Sequence, residues 1–217
     1  DVGFAQDPDA DRLAIVDENG VYVGEEYTLA LAAKYMYSVR PGAAAANLST
    51  SRMIDDVAKA AGGRVIRTPV GEANVASAML ANGCVIGGEG NGGVIDLRVG
   101  PIRDSLVAMA LVLQLMAETG RTVGEMVQEI GSYYMHKDKF AADASQARRI
   151  IDLTKGKFSD AELNTSDGCR FDFDDGWVHL RTSNTEPVMR IIVEANDEPA
   201  ARRYIDAVSE IRRTVLG

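Results

Sequence analysis

The residues in this sequence best suited to chemistry are three aspartates at alternate positions near its start, Asp7, Asp9 and Asp11. They lie between two apolar segments, and Arg12 directly follows the last of them. Carboxylate oxygens on one short loop are the ligands that Mg²⁺ and Ca²⁺ prefer, and Mg²⁺ usually keeps coordination sites open for water or phosphate oxygens. The pattern predicts a divalent-metal loop.

Three other interpretations of this loop remain open. In a calcium-binding EF-hand, Glu18 would be the twelfth residue counted from Asp7, but Arg12 stands where the sharp turn needs glycine, and strands rather than helices flank the loop. In a phosphatase with an aspartyl nucleophile, an Asp-x-Asp pair would attack phosphate, and the third aspartate and the arginine fit that class poorly. The loop could also be a solvated acidic turn.

A glycine-rich segment, residues 87–93, follows a strand-like apolar run. Its glycines allow close approach of the backbone to a ligand. Glu89 and Asn91 offer an acceptor and an amide that suit neighbouring sugar hydroxyls. No Gly-Lys-Ser/Thr follows, so the segment is not a P-loop. It predicts a polyol-binding loop, with a purely structural turn as the alternative.

A third polar segment, residues 181–187, lies between two strand-like runs. A guanidinium, hydroxyls, an amide and exposed backbone N–H groups are the donors that hold a phosphate dianion. The residues concerned are Arg181, Ser183, Asn184 and Thr185. The segment predicts a phosphate-binding loop, although an ordinary polar hairpin, with Arg190 facing water, would carry the same composition.

The elements that must position these loops follow two different orders. Up to residue 131, strand-like and helix-like patterns alternate, which predicts an α/β domain with parallel strands and crossover helices. After residue 131 the order predicts a smaller α+β domain. The predicted helices cover residues 27–39, 73–80, 104–118, 123–130, 144–153 and 199–215, with a further helix capped by Ser49 or Thr50 and running to residue 61. The predicted strands cover residues 2–5, 13–16, 43–47, 65–68, 85–87, 133–139 and 188–195, with short ones around residues 171 and 178.

Composition limits the classes of function. The 217 residues carry a formal net charge of −9, which argues against a nucleic-acid or acidic-membrane surface. Cys84 and Cys169 match no metal or redox spacing, which predicts reduced thiols and a cytoplasmic protein. The longest apolar stretch, residues 105–117, is too short for a membrane span. The chain opens directly into a strand-like run without an initiator Met, so we expect it to be cut from a longer protein.

Taken in order, the three loops resemble those of the α-D-phosphohexomutase family, which includes phosphoglucomutase, phosphomannomutase and phosphoglucosamine mutase. The matching motifs are DPDADR, GGEGNGG and RTSNTEP, and TPVGEAN at residues 68–74 resembles a further substrate-facing turn. The family's serine loop, with a Ser-His-Asn core, would lie before Asp1. The resemblance therefore implies the C-terminal half of such an enzyme: residues 1–17 as the end of domain 2, residues 18–131 as the mixed-sheet domain 3, and residues 132–217 as domain 4.

The resemblance also implies a role for each motif. Magnesium would be held by Asp7, Asp9 and Asp11, and Arg12 would help to neutralise the transferred phosphoryl group. Substrate would contact Gly71, Glu72, Glu89, Asn91, Arg181, Ser183, Asn184 and Thr185. The implied reaction exchanges the 1- and 6-phosphates of a hexose through phosphoserine and a hexose 1,6-bisphosphate, and it needs the N-terminal domains of the same parent chain. The fragment alone is expected to be inactive.

Two departures from the family pattern affect the finer assignment. Asn91 and Gly93 stand where many bacterial members carry Ser and His, and Glu72 stands where some carry His. The general acid or base is therefore not assigned. The RTSNTEP form favours phosphoglucomutase or phosphomannomutase. Phosphoglucosamine mutase and a non-catalytic phosphosugar-binding module are the alternatives.

Overall fold

The computed structural model describes residues 1–183 and 186–217. It divides into two compact units, Asp1–Ser132 and Tyr133–Gly217, which we describe separately. The division lies next to the domain boundary predicted at residues 131 and 132.

The first unit opens with an antiparallel hairpin of β1 (Gly3–Gln6) and β2 (Leu13–Val16). The aspartate loop is its turn. Within the loop, the Ala10 N–H donates to the Asp7 carbonyl at 3.0 Å, which places Pro8 at the second position of a β-turn, where its fixed φ is favourable. Ala10 itself adopts a positive φ of 56°, which is uncommon for a residue with a side chain. The loop is therefore a tight and locally strained turn.

A four-stranded mixed sheet forms the centre of this unit, in the order β4-β3-β5-β6. The strands are β3 (Ala43–Asn47), β4 (Arg64–Thr68), β5 (Ile86–Glu89) and β6 (Gly93–Ile95). The first three are parallel, and β6 returns antiparallel to β5 as a hairpin. Every residue of β3 is buried, and four of the five are alanine, which allows elements to pack closely on the central strand. The predicted mixed-sheet α/β domain is confirmed.

Five helices accompany this sheet: α1 (Glu25–Val39), α2 (Met53–Ala60), α3 (Glu72–Asn82), α4 (Ser105–Thr119) and α5 (Val123–Ile130). The Asp104 carboxylate caps α4 by accepting from the N–H groups of Leu106 and Val107. Thr122 and Glu125 form a capping box at α5. These caps fix where α4 and α5 begin, and therefore where the segments before these two helices lie.

The predicted cap of α2 was wrong. Thr50 Oγ1 and the Ser49 N–H both donate to the Asn47 side-chain oxygen, so neither residue caps the helix. The Met53 N–H instead donates to Ser51 Oγ at 3.1 Å. An asparagine side chain that accepts from the backbone two residues ahead makes its own turn, which moves the start of the helix along the chain.

Over its described residues, the second unit is a five-stranded antiparallel sheet in the order β7-β11-β10-β9-β8, with two helices. Its elements are β7 (Tyr134–Ala141), α6 (Ala144–Lys157), β8 (Glu162–Asn164), β9 (Cys169–Phe173), β10 (Gly176–Thr182), β11 (Val188–Ala195) and α7 (Glu198–Leu216). Its apolar core includes Phe171, Val178, Leu180 and Val193. This confirms the predicted α+β domain. The sequence missed β6 and β8, because three-residue strands are too short to show a periodicity.

No single helix in the described parts of the chain combines the length and apolar character needed to cross a bilayer. By length and composition alone, α4 and α5 pass that test only as a pair, and they are bent by 93° relative to each other.

Candidate functional site

Polar side chains stand at the carboxyl ends of all three parallel strands of the first unit. Asn47 ends β3, Thr68 ends β4 and Glu89 ends β5, and all three are buried. The carboxyl ends of parallel strands are where α/β proteins bind ligands, because the loops that follow converge there. This edge is therefore the place to look for a site.

Glu89 is the most connected of these residues. Its Oε1 accepts from Asn47 Nδ2 at 2.7 Å and from the Gly71 N–H at 3.1 Å. Its Oε2 accepts from Arg103 Nη1 at 2.5 Å and from Asn91 Nδ2 at 3.4 Å. A carboxylate offers about four lone-pair directions, so these four donors use most of its capacity. The residue is only 4% exposed, and the orientation of its side chain is fixed by the protein itself.

Arg103, directly before the cap of α4, joins this edge to the aspartate loop. Its Nη2 lies 2.5 Å from Asp11 Oδ2, while Nη1 contacts Glu89. Its backbone N–H donates to Glu72 Oε1 at 2.7 Å, and its Nε lies 3.4 Å from Glu72 Oε2. The arginine side chain is 12% exposed. One guanidinium thus connects the aspartate loop, the start of α3 and the glycine-rich hairpin.

The aspartate loop is also held by its own backbone and by the start of α4. Asp7 Oδ1 accepts from the N–H groups of Asp11 and Arg12, each at 3.2 Å. Ser105 Oγ donates to the Ala10 carbonyl at 2.6 Å, and the Ser105 N–H donates to the same oxygen at 3.3 Å. These bonds hold the strained residue from both sides of the turn.

Asp7 and Asp11 form a close carboxylate pair with different affinities for a proton. Burial raises the pKa of Asp11, the Arg103 charge opposes this, and Asp7 adds to it, so that the net shift is upward. Slight burial raises the pKa of Asp7, but hydrogen bonds from the Arg12 backbone and from Asp11 outweigh this and lower it overall. The two carboxylates therefore titrate as a coupled pair, as expected for two groups that share a site.

The donor set of this loop suits a hard cation. Asp11 Oδ1 is buried and makes no hydrogen bond to any described residue, although Arg12 Nε lies 3.6 Å from it. An unsatisfied buried carboxylate oxygen is costly without a cation nearby. Within residues 1–183 and 186–217, however, no three His, Cys, Asp or Glu side chains converge as a metal-binding group. The structure brings Asp7 and Asp11 together but does not add Asp9, so a three-aspartate magnesium site stays a prediction.

The glycines of the 87–93 segment are required by neighbouring protein atoms. A Cβ on Gly90 would lie 1.8 Å from the buried Glu26 carboxylate, whose Oε2 accepts from the Ser51 N–H. Gly92 has a φ of +86°, and a Cβ there would lie 2.6 Å from the Leu13 carbonyl. The structural explanation therefore accounts for these glycines, while the proposed roles of Glu89 and Asn91 toward a sugar stay predictions.

The TPVGEAN turn, residues 68–74, also contacts other protein residues. Gly71, at a φ of +125°, precedes α3 and donates its N–H to Glu89, and Glu72 accepts from Arg103. Both predicted substrate residues of this turn thus lie at the edge of the sheet, in contact with the other loops of the first unit.

The third predicted loop belongs to the second unit. Arg181 and Thr182 end β10, and the Ser183 N–H donates to the Val188 carbonyl at 2.9 Å. Arg181 Nε lies 3.3 Å from Asp167 Oδ2. The predictions for Asn184 and Thr185 concern residues outside the described part of the chain.

Register places a row of cations beside this loop. Arg181 pairs with Arg190 across β10 and β11, and Arg190 pairs with Lys139 across β11 and β7. Directly paired residues of neighbouring strands point to the same face, and like charges there are destabilising unless an anion neutralises them. Arg190 and Lys139 are exposed, so the row could attract an anion, and the predicted phosphate site and the water-facing Arg190 both stay predictions.

Sequence reasoning missed Arg103, Asn47 and Lys139. The carboxyl-end rule for parallel strands could have found Asn47, because β3 was predicted to end there. Lys139 needed the register of β7 against β11. For Arg103, the sequence offered only its position before the helix cap, which does not indicate which carboxylates it meets.

Two family models together match most of the chain, from residue 24 to residue 211. Residues 24–134 match the phosphoglucomutase/phosphomannomutase alpha/beta/alpha domain III, and residues 135–211 match the C-terminal domain of the same family. A phosphoglucomutase/phosphomannomutase from Thermococcus kodakarensis is 38% identical over 95% of the chain and 46% of its own length. A probable phosphoglucosamine mutase from Methanopyrus kandleri is 38% identical over 98% of the chain and 48% of its own length. The chain therefore spans about half the length of the curated relatives it matches.

Solved structures share the fold. A phosphoglucomutase/phosphomannomutase family protein from Burkholderia thailandensis superposes with a TM-score of 0.85 at 24% identity, over 99% of this chain and 47% of that one. A phosphomannomutase described as putative, from Thermus thermophilus, gives a TM-score of 0.74 at 25% identity, over 99% and 46%. An N-acetylphosphoglucosamine mutase from Aspergillus fumigatus, crystallised with GlcNAc-6P and magnesium, gives 0.70 at 16% identity, over 99% and 48%.

Proposed function

Because the chain belongs to the phosphoglucomutase/phosphomannomutase family and corresponds to its C-terminal half, we propose that it is half of an enzyme that exchanges phosphate between the 1- and 6-hydroxyls of a hexose. The observation that carries this proposal is the set of contacts around Arg103, which joins the aspartate loop, Glu72 and Glu89 in one unit.

In the proposed reaction, a phosphoserine in the N-terminal half gives its phosphoryl group to the free hydroxyl of a hexose phosphate. One P–O bond to serine breaks and one to the sugar forms, which yields hexose 1,6-bisphosphate. After the intermediate reorients, the other phosphate returns to serine and the isomeric hexose monophosphate leaves. Such transfers depend mainly on positioning and on neutralising charge.

The aspartate loop supplies the charged end of the site. Magnesium held by Asp7, Asp9 and Asp11 would stabilise negative charge on the transferred phosphoryl group. The magnesium in the Aspergillus fumigatus relative supports this assignment. Arg12, whose side chain is 48% exposed, offers a second cation that can reach a phosphoryl oxygen.

The sugar would meet the polar edge of the sheet. Asn91 and Glu89 are the proposed contacts, because the 3.4 Å bond between them is the weakest of the four at Glu89 and can be exchanged for sugar hydroxyls. Gly71 and Glu72 border the same edge. The cation row of Arg181, Arg190 and Lys139, with Ser183, Asn184 and Thr185, would bind the phosphate that is not being transferred.

We assign glucose or mannose phosphates as the substrates, based on the RTSNTEP form of the phosphate loop. The curated relatives carry both phosphoglucomutase/phosphomannomutase and phosphoglucosamine mutase names, so a glucosamine phosphate is the specific alternative.

The test is a mutase assay of the full-length protein that contains this chain, with Mg²⁺ and catalytic bisphosphate. Glucose 1-phosphate, mannose 1-phosphate and glucosamine 1-phosphate would be compared as substrates. Asp9→Ala is expected to lower kcat by about 100-fold, because a metal ligand is lost. Asp160→Ala removes an exposed aspartate of the second unit and serves as the matched control.

The outcomes of this assay distinguish the proposed mutase from the alternative functions. Interconversion of glucose or mannose phosphates, lost in Asp9→Ala, supports the proposal, and activity on glucosamine phosphate alone selects the alternative substrate. Release of inorganic phosphate without an isomer would indicate a phosphatase. No turnover of any substrate would leave a phosphosugar-binding module.

A further inference from the structure

Arg103 lies where a side chain at position 93 would have to go. A Cβ built on Gly93 would stand 2.3 Å from Arg103 Cδ and 3.0 Å from its Cγ. Real Cβ atoms do not approach that closely, and Arg103 is held at its far end by several bonds. Gly93 is therefore glycine because the stem of Arg103 crosses the hairpin at this point.

The far end of Arg103 makes contacts that span the first unit. Nη2 meets Asp11, which is 92 residues away in sequence, and Nη1 meets Glu89, which is 14 residues away. The two nitrogens belong to one rigid, planar group, so the distance between the two bound carboxylates is fixed by covalent geometry. A lysine ammonium could satisfy the charge but not this spacing.

The two carboxylates that Arg103 joins have different proposed tasks. Asp11 belongs to the metal loop, and Glu89 belongs to the sugar-binding edge. Resting on the proposed mutase function, we propose that Arg103 is a positioning residue that sets the separation between the metal-binding and sugar-binding carboxylates. Gly93 provides the space that this requires.

A purely structural ion pair would stabilise the fold without setting the geometry of the site. Arg98 provides a matched comparison, because its Nε and Nη2 bind the buried carboxylate of Asp96, two residues away. Arg98→Met removes a guanidinium from a buried carboxylate in the same unit, as Arg103→Met does, but its partner lies outside the three loops.

The experiment uses the full-length protein with Arg103→Met, Arg103→Lys and Arg98→Met. We measure kcat, KM for the hexose phosphate and thermal unfolding. The affinity for Mn²⁺ alone is followed by electron paramagnetic resonance. Arg103→Met is expected to weaken Mn²⁺ binding and lower kcat/KM by about 10- to 100-fold each, the range seen when a group that orients a metal ligand is removed. Arg103→Lys should recover thermal stability without recovering kcat/KM, and Arg98→Met should change stability alone.

A second pair of variants tests the space at position 93 and does not depend on turnover. Gly93→Ala should lower the unfolding temperature in the wild-type background. In the Arg103→Ala background it should have little further effect, because the colliding stem has been removed. Equal losses in both backgrounds would contradict the inferred packing.

Different results would contradict the role of Arg103 and the proposed mutase function. An active wild-type enzyme whose Arg103→Met variant keeps its Mn²⁺ affinity and kcat/KM overturns the role of Arg103. A wild-type enzyme inactive on every sugar phosphate overturns the proposed function, and the Mn²⁺ titration and the Gly93 variants still decide about Arg103.

Discussion

Two hairpins of this chain both carry a predicted ligand-binding loop but differ in what they contact. The β5–β6 hairpin of the first unit packs against Leu13, Glu26 and Arg103, so that its glycines are fixed by protein atoms. The β10–β11 hairpin of the second unit instead presents a row of cations on one face of its sheet. A substitution in the first hairpin should therefore damage fold and site together, and one in the second should damage ligand binding alone.

The largest effect is expected from Gly88→Ala in the first hairpin. A Cβ there would lie 2.2 Å from the Gly93 carbonyl oxygen and 2.9 Å from Leu29 Cδ1. Because a backbone atom of the partner strand cannot move aside, we expect a loss of at least about 3 kcal/mol in the free energy of unfolding, measured with urea.

Gly156→Ala in α6 is the matched control, because an added Cβ meets no described atom within 4 Å. Its effect should stay within about 0.5 kcal/mol. If both variants unfolded at the same urea concentration, the difference between the two regions would not hold.

The stability of the second unit should depend on pH through a buried histidine on strand β10. His179 on β10 is fully buried, and burial lowers its pKa to about 4, against the weaker effect of its bond with the Asp167 carbonyl. The unfolded chain binds a proton near pH 6.5 and the folded chain does not, so stability falls as the pH drops from 6.5 toward 4.

The loss amounts to about 3 kcal/mol over that range. Urea unfolding of the wild type and of His179→Gln at each pH isolates this contribution by difference. Parallel curves for the two proteins would show that His179 does not limit the stability of β10.

The smallest effect on free energy is expected at the phosphate loop. Arg181→Gln should raise KM for the hexose phosphate about 30-fold, since a charged hydrogen bond contributes about 2 kcal/mol. The unfolding temperature should change little. Arg213→Gln, on the exposed side of α7, is the control for loss of a surface cation. A fall in stability without a change in KM would show that Arg181 stabilises the fold rather than binds phosphate. The proposed difference between the two hairpins would then be wrong.

The sequence was sufficient for most of the fold, because the longer elements have clear patterns and caps. The predicted helices over residues 104–118 and 123–130 lie within one residue of the observed α4 and α5. For the site, the sequence predicted the separate loops but not the contacts between them. The loops carry recognisable residue types, whereas Arg103 acts through partners that no local pattern identifies, and Lys139 acts through strand register.

The bond between Ser105 and the Ala10 carbonyl has a consequence for the order of folding. Ser105 and Ala10 are 95 residues apart in sequence, and the bond from Gln6 to Ser105 spans 99. Closing such long loops costs chain entropy before any contact repays it, so we expect the bonds from Ser105 to form late and to complete a turn that local bonds begin. Metal-binding competence should therefore be among the last properties to appear as this unit folds.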